Sequence, residues 1–125
     1  MKLINTEKAP TPAGHYSQAV IAGELIYISG QLPINPITKE KIIGSISDQT
    51  NQVLNNLKAI IEECGSNINN VVKTTIYISD ISLWDEVNIV YTAFFADHKP
   101  ARAVVPTREL HFGFQIEIEA IALVN

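Results

Sequence analysis

Two residues suited to handling carboxylates and protons lie near the C-terminal end of the chain. Arg102 sits in the run Pro100-Ala101-Arg102, and Glu117 in Gln115-Ile116-Glu117-Ile118-Glu119. Arg102 opens an apolar strand, and the spacing predicts that this strand pairs with the one carrying Glu117, so that guanidinium and carboxylate meet at the rim of a sheet. A guanidinium can hold a substrate carboxylate through two parallel hydrogen bonds. A carboxylate can take a proton from a water or orient it. On spacing alone an ordinary Arg–Glu pair closing a hairpin is the simpler reading, so the rest of the chain has to decide.

Other polar residues fall where apolar ones are expected. Asn88 lies four residues after Trp84 and three before Tyr91, on the inner face of a predicted helix, where its amide needs partners from backbone or ligand. Ser29-Gly30-Gln31 ends a buried strand. The glycine allows a close approach by a ligand or a second backbone, and a plain strand-end turn fits as well. Tyr16 follows a proline-rich loop and either presents its hydroxyl to a cleft or is a core aromatic with a wet tip. The sequence has no glycine-rich phosphate loop and no paired-cysteine motif. His15, His98 and His111 are too far apart for ligand spacing, so no metal site is read. Cys64, on an apolar helical face before Gly65, reads as a small core residue.

With 125 residues, 46% of them hydrophobic, the chain suits one domain spanning 1–125 with a single core. The net charge of −4 and the scatter of the charges argue against a nucleic-acid partner or a membrane patch. The N-terminus is too short in its apolar part for a signal peptide, and no apolar run approaches a membrane span. One cysteine cannot form an internal disulfide. These features together read as cytoplasmic.

The predicted element order is β-β-β-α-β-α-β-β. Strands are expected over 2–5, 16–21, 25–29, 71–78, 101–108 and 115–124, with a turn at Ala22-Gly23-Glu24. Val53, Leu54, Leu57, Ile60, Ile61 and Cys64 recur at helical spacing, giving a helix from Ser47, its expected N-cap, to Cys64, with Gly65 at C′. Ser82-Leu83-Trp84-Asp85 reads as a capping box for a second helix with Trp84, Val87, Tyr91, Phe94 and Phe95 inward. Pro106 places its strand at an edge or a bulge. Several strands are apolar on both alternating faces: Ile116, Ile118, Ala120 and Ala122 point one way, Ile121 and Leu123 the other. Two helices cover one face only, so the other is expected to be buried against further copies of the chain.

The motifs occur in a recognisable order: Pro12-Ala13-Gly14-His15-Tyr16-Ser17-Gln18-Ala19, Ser29-Gly30-Gln31, Gln49-Thr50, Asn56-Leu57-Lys58, Val71-Val72-Lys73-Thr74-Thr75, Asp80, Val87-Asn88, Tyr91, Phe95, Pro100-Ala101-Arg102 and Ile116-Glu117-Ile118-Glu119-Ala120-Ile121-Ala122. Over essentially the full length the chain resembles the RidA (YjgF-like) family of imine deaminases. The resemblance implies an α+β, chorismate-mutase-like fold with two helices on one face of the sheet. It also implies a homotrimer with its sheets facing inward and clefts between subunits. The implied activity is hydrolysis of 2-imino acids such as 2-iminobutanoate and 2-iminopropanoate, or their enamine tautomers, to 2-oxo acids and ammonia, without cofactor or metal. By position, Arg102 would clamp the substrate carboxylate with help from the Val104 N–H, and Glu117 would activate water. Tyr16, Ser29, Gly30 and Asn88 would line the cleft. Departures from the family pattern fall at Val104 (commonly Cys), His15 (commonly Pro) and His111 (commonly Pro), with Phe112 and Phe114 following; these could alter specificity. The competing reading is a non-catalytic trimer of the same fold that binds a small carboxylate and regulates a partner. An RNA-cleaving role is disfavoured by the acidic charge and the lack of a basic aromatic face.

Overall fold

The computed structural model describes residues 1–125. The strands are β1 (Lys2–Ile4), β2 (Ala19–Ala22), β3 (Leu25–Gln31), β4 (Val71–Ile78), β5 (Ala101–Pro106) and β6 (Ile116–Leu123), and the helices are α1 (Ile46–Glu63) and α2 (Trp84–Phe95). The order along the chain is the expected one. Tyr16 and Ser17 precede β2 in the loop instead of opening it.

The caps differ from expectation. Ser45, not Ser47, caps α1: its Oγ accepts from the Asp48 N–H at 3.1 Å. Two serines stand one turn-half apart, and only Ser45 has extended backbone and a partner three residues on. At the other end Gly65, with φ +77, donates to the Glu62 carbonyl while Ser66 donates to that of Ile61, the paired closure expected of a C′ glycine. The Ser82 capping box does not form. A 3-10 turn over Ile81–Leu83 runs straight into α2, and Asp80 caps that turn by accepting from the Ser82 N–H at 2.8 Å. That bond holds the Asp80 carboxyl below its usual range.

The six strands lie in the order β1-β2-β3-β6-β4-β5. All neighbours are antiparallel except β4 and β5. This parallel pair follows from α2: a helix between two strands is the crossover that parallel neighbours require, and it lays α2 on the sheet. The expected pairing of β5 with β6 is therefore wrong, because β4 lies between them.

Register divides the sheet into two faces. Ile26, Ile28, Ile76, Ile78, Ile116, Ile118, Ala120 and Ala122 turn inward and pack with Val53, Leu54, Leu57, Ile60 and Ile61 of α1 and Val87, Tyr91 and Phe95 of α2 in one core. Each fully buried Leu, Ile or Phe contributes about 1.5–3 kcal/mol. The opposite face holds Leu3, Tyr27, Val105 and Leu123, exposed by 62, 46, 37 and 41%. Lys73, Thr75, Tyr77, Glu117 and Glu119 share that face by register. The second face is therefore mixed, apolar at these four side chains and polar between them, and nothing in a single chain covers it. Cys64 packs partly against the core, and burial pushes its thiol up.

Candidate active site

The candidate residues fall into two half-sites on opposite faces of the sheet. The first is at the free edge of β5. Arg102 is in register with Thr74, whose side chain turns to the helix face and meets Tyr91 Oη at 2.8 Å. Arg102 therefore also turns to the helix side, beneath α2. Its Nη1 donates to Asn88 Oδ1 at 3.0 Å. Its guanidinium carbon lies 4.5 Å from the Trp84 ring centroid and 5.1 Å from that of Tyr91. Two aromatic faces and one amide thus orient the fork and leave further N–H groups free. Burial raises the Tyr91 phenol, with the Thr74 bond and Arg102 opposing. Asn88, Tyr91, Thr92, His98, Lys99 and Arg102 are among the residues lining a cleft here.

Backbone direction adds a second donor. The Thr107 N–H reaches the Ile78 carbonyl at 2.7 Å. Peptide groups alternate sides along a strand, so Val105 faces β4 while Val104 and Pro106 face the open edge. The Val104 N–H is therefore directed outward beside Arg102, while its side chain packs on the core. Pro106 is tolerated because the N–H it lacks would point away from the sheet.

The second half-site lies on the open face and is lined by Tyr16, Ser29, Gly30, Leu32, His111, Glu117 and Glu119. A β-bulge builds it: between the pairs Ile28–Ala120 and Gln31–Ile118, Ser29 and Gly30 stand opposite Glu119 alone. A Cβ on Gly30 would overlap the Glu117 carboxylate, so glycine is what lets that carboxylate lie where it does. Ser29 Oγ donates to the Ser17 carbonyl at 2.7 Å and its N–H to that of Gln18 at 2.9 Å, which ties the Tyr16 loop to β3. Gln18, buried, fastens the same loop: it accepts from the Thr6 N–H and donates to the Thr6 and Pro10 carbonyls. Tyr16 is left half-exposed at the cleft mouth. Burial raises the Glu117 carboxyl, with His111 opposing and Glu119 adding to the rise. Tyr77 Oη donates to Glu119 Oε1 at 2.8 Å, and that bond is the main cause of the raised Tyr77 phenol.

Tyr16, Ser29, Gly30 and Glu117 are thus brought together, as are Arg102, Asn88 and the Val104 N–H, but the two groups are separate within one chain. Sequence reading missed the roles of Trp84, which stacks on Arg102, and of Gln18, which holds the loop. Polar residues at buried positions were the available signal for Gln18; Trp84 read simply as core. One consequence is testable now. Gly30→Ala should fold, since the clash is with a flexible side-chain end, yet displace Glu117. Any activity dependent on that carboxylate should fall at least tenfold, with circular dichroism unchanged.

Sheet, helices and the two half-sites together define a protein of the RidA/YjgF class. The family model described as "Endoribonuclease L-PSP" matches residues 6–124, and the chain belongs to this RidA/YjgF family. A RutC family protein of Pyrococcus horikoshii is 48% identical over 121 residues, covering 97% of this chain and 96% of the relative. The human protein named 2-iminobutanoate/2-iminopropanoate deaminase is 39% identical over 122 residues, covering 98% and 89%. Among solved structures, the YjgF gene product of E. coli superposes with a TM-score of 0.94 at 42% identity, covering 98% of each chain. RidA from the Antarctic bacterium Psychrobacter sp. PAMC 21119 gives 0.94 at 41%, covering 98% and 99%.

Proposed function

We propose that this protein hydrolyses 2-imino acids, with 2-iminobutanoate and 2-iminopropanoate as the reference substrates, to 2-oxo acids and ammonia. The reading is carried by one observation: a guanidinium oriented by Asn88 and Trp84 and a carboxyl raised by burial occupy open half-clefts on opposite faces of one sheet. Neither half-cleft is a complete site. A ring of identical copies, each setting its β5 edge against the open face of the next, would close both and cover the apolar surface. The relative in humans with the deaminase name supports the substrate class.

In the joined cleft Arg102 and the Val104 N–H hold the substrate carboxylate, and Asn88 and Trp84 keep the guanidinium aligned. A protonated imine carbon is already electrophilic. Glu117 takes a proton from a water as its oxygen bonds to that carbon, giving a carbinolamine that expels ammonia. Orientation and proton transfer supply the acceleration. The family model's description refers to RNA cleavage, but a net charge of −4 and two adjacent carboxylates, Glu117 and Glu119, weigh against a polyanionic substrate. The test is to generate iminopropanoate and iminobutanoate in situ with an amino-acid oxidase and follow trapped imine and ammonia. Faster imine loss with purified protein is expected. No acceleration would leave the carboxylate-binding reading in its place.

A further inference from the structure

The cleft around Glu117 is also lined by Tyr16, Glu119 and His111, and of these the imidazole is the group whose ordinary pKa suits it to both give and take a proton near neutral pH. His111 lines it, carried on a 3-10 turn over His111–Gly113. That turn is unusual in its backbone: Phe112 has φ 58 and ψ 19, and Gly113 follows at φ 75. A bulky aromatic rarely occupies the left-handed region, and its ring makes two contacts here. Lys41 Nζ lies 4.1 Å from the Phe112 ring centroid, and the ring meets the buried Phe114 edge-on at 5.8 Å. Lys41 is itself held by a bridge to Ile34 across its loop. Lys41 from one side and Phe114 from the same turn thus contact the half-exposed Phe112 ring, in a turn that sets His111 at the rim of the Glu117 cleft.

We propose that His111 is a second proton-handling group of this site, working with Glu117, and that the left-handed turn at Phe112-Gly113 is the device that places it. The proposal rests on the deaminase reading. Glu117 takes the proton released as water adds to the imine carbon, while the C=N electron pair withdraws onto nitrogen. His111, as imidazolium, protonates the amine nitrogen. The C–N bond then breaks with its electron pair as the hydroxyl oxygen closes the new C=O, and the imidazole takes the hydroxyl proton. Ammonia leaves with the proton held on Glu117, as ammonium, and both groups return to their starting states. The titratable groups that share this cleft with His111 are Glu117 and Glu119 from β6 and Tyr16 from the first loop; Lys41 lies over the neighbouring Phe112 ring, and Tyr77 of β4 fixes Glu119. His111 also opposes the rise that burial imposes on the Glu117 carboxyl.

The measurement is the pH–rate profile of imine hydrolysis for wild type, His111→Gln and His111→Ala, with and without added imidazole. His111 is exposed, so both variants should fold. The expected result is a fall of roughly ten- to a hundredfold in kcat, a flattened profile, and recovery of His111→Ala by imidazole. Wild-type rates with an unchanged profile in both variants would overturn the role of His111 while leaving the deaminase reading intact. A wild-type protein that fails to accelerate imine loss would remove both. A fall in kcat that imidazole does not rescue, with the profile unchanged in shape, would also overturn it.

Discussion

Arg102→Ala is expected to lower kcat/KM for an imino acid by roughly thirty- to several-thousandfold. Truncating one partner of a desolvated, hydrogen-bonded charge pair costs about 2–5 kcal/mol, and each 1.4 kcal/mol or so is a factor of ten. The substrate carboxylate would be left with the Val104 N–H alone. Arg102→Lys keeps the charge but loses the planar fork and the stacking on Trp84, so its activity should fall between wild type and Arg102→Ala. Neither change should shift Tm by much, because Arg102 is exposed and makes one hydrogen bond within the chain. A steady-state assay beside a thermal melt separates the two effects.

Glu117→Gln should cost about 10²- to 10⁴-fold in kcat, the range for removing a positioned proton acceptor. The amide keeps the shape and can still bind a water but cannot take its proton. The variant has a second, opposite effect. Burial raises the Glu117 pKa in the folded chain above its ordinary 4.5, so the folded state holds that proton more tightly than the unfolded chain. Stability from this group is therefore full below 4.5 and is lost as pH rises through the raised folded value. Glu117→Gln escapes that loss. It should melt above wild type at neutral pH, and the difference should close as pH falls below 4.5. The same raised value predicts that wild-type activity declines on the acid side earlier than an ordinary carboxylate would dictate. Loss of activity together with gain of stability is hard to obtain from a residue that is merely structural.

The elements were legible where a single period dominated. The three, four and seven spacing of Val53, Leu54, Leu57, Ile60 and Ile61 marks α1, and Gly65 marks its end. The alternation of β6 shows one apolar face and a second that turns from Glu117 and Glu119 to Ile121 and Leu123. The α1 cap was ambiguous because Ser45 and Ser47 both precede the apolar run, and only backbone geometry chooses between them. The larger miss was the partner of β5. Successive strands often pair, which favours β5 with β6, but α2 intervenes between β4 and β5 and forces a parallel crossover. That one error carried into the site. The residues were legible as a set, since Arg102, Glu117, Gly30 and Asn88 are polar or small where the pattern calls for apolar. Their division between two faces was not, because it depends on strand order. Placed correctly, Arg102 and Glu117 stop being a hairpin pair and stand on opposite faces of the sheet, which is why the proposed site draws on two chains.

The most direct test of a shared cleft is complementation. Arg102→Ala and Glu117→Gln, each nearly inactive alone, are co-expressed and purified together. In a ring where Arg102 of one copy meets Glu117 of the next, random mixing leaves about a quarter of the clefts with both native groups. Recovery of about that fraction of wild-type activity is the predicted result. Mixed oligomers no more active than either variant alone would contradict a site built across two subunits.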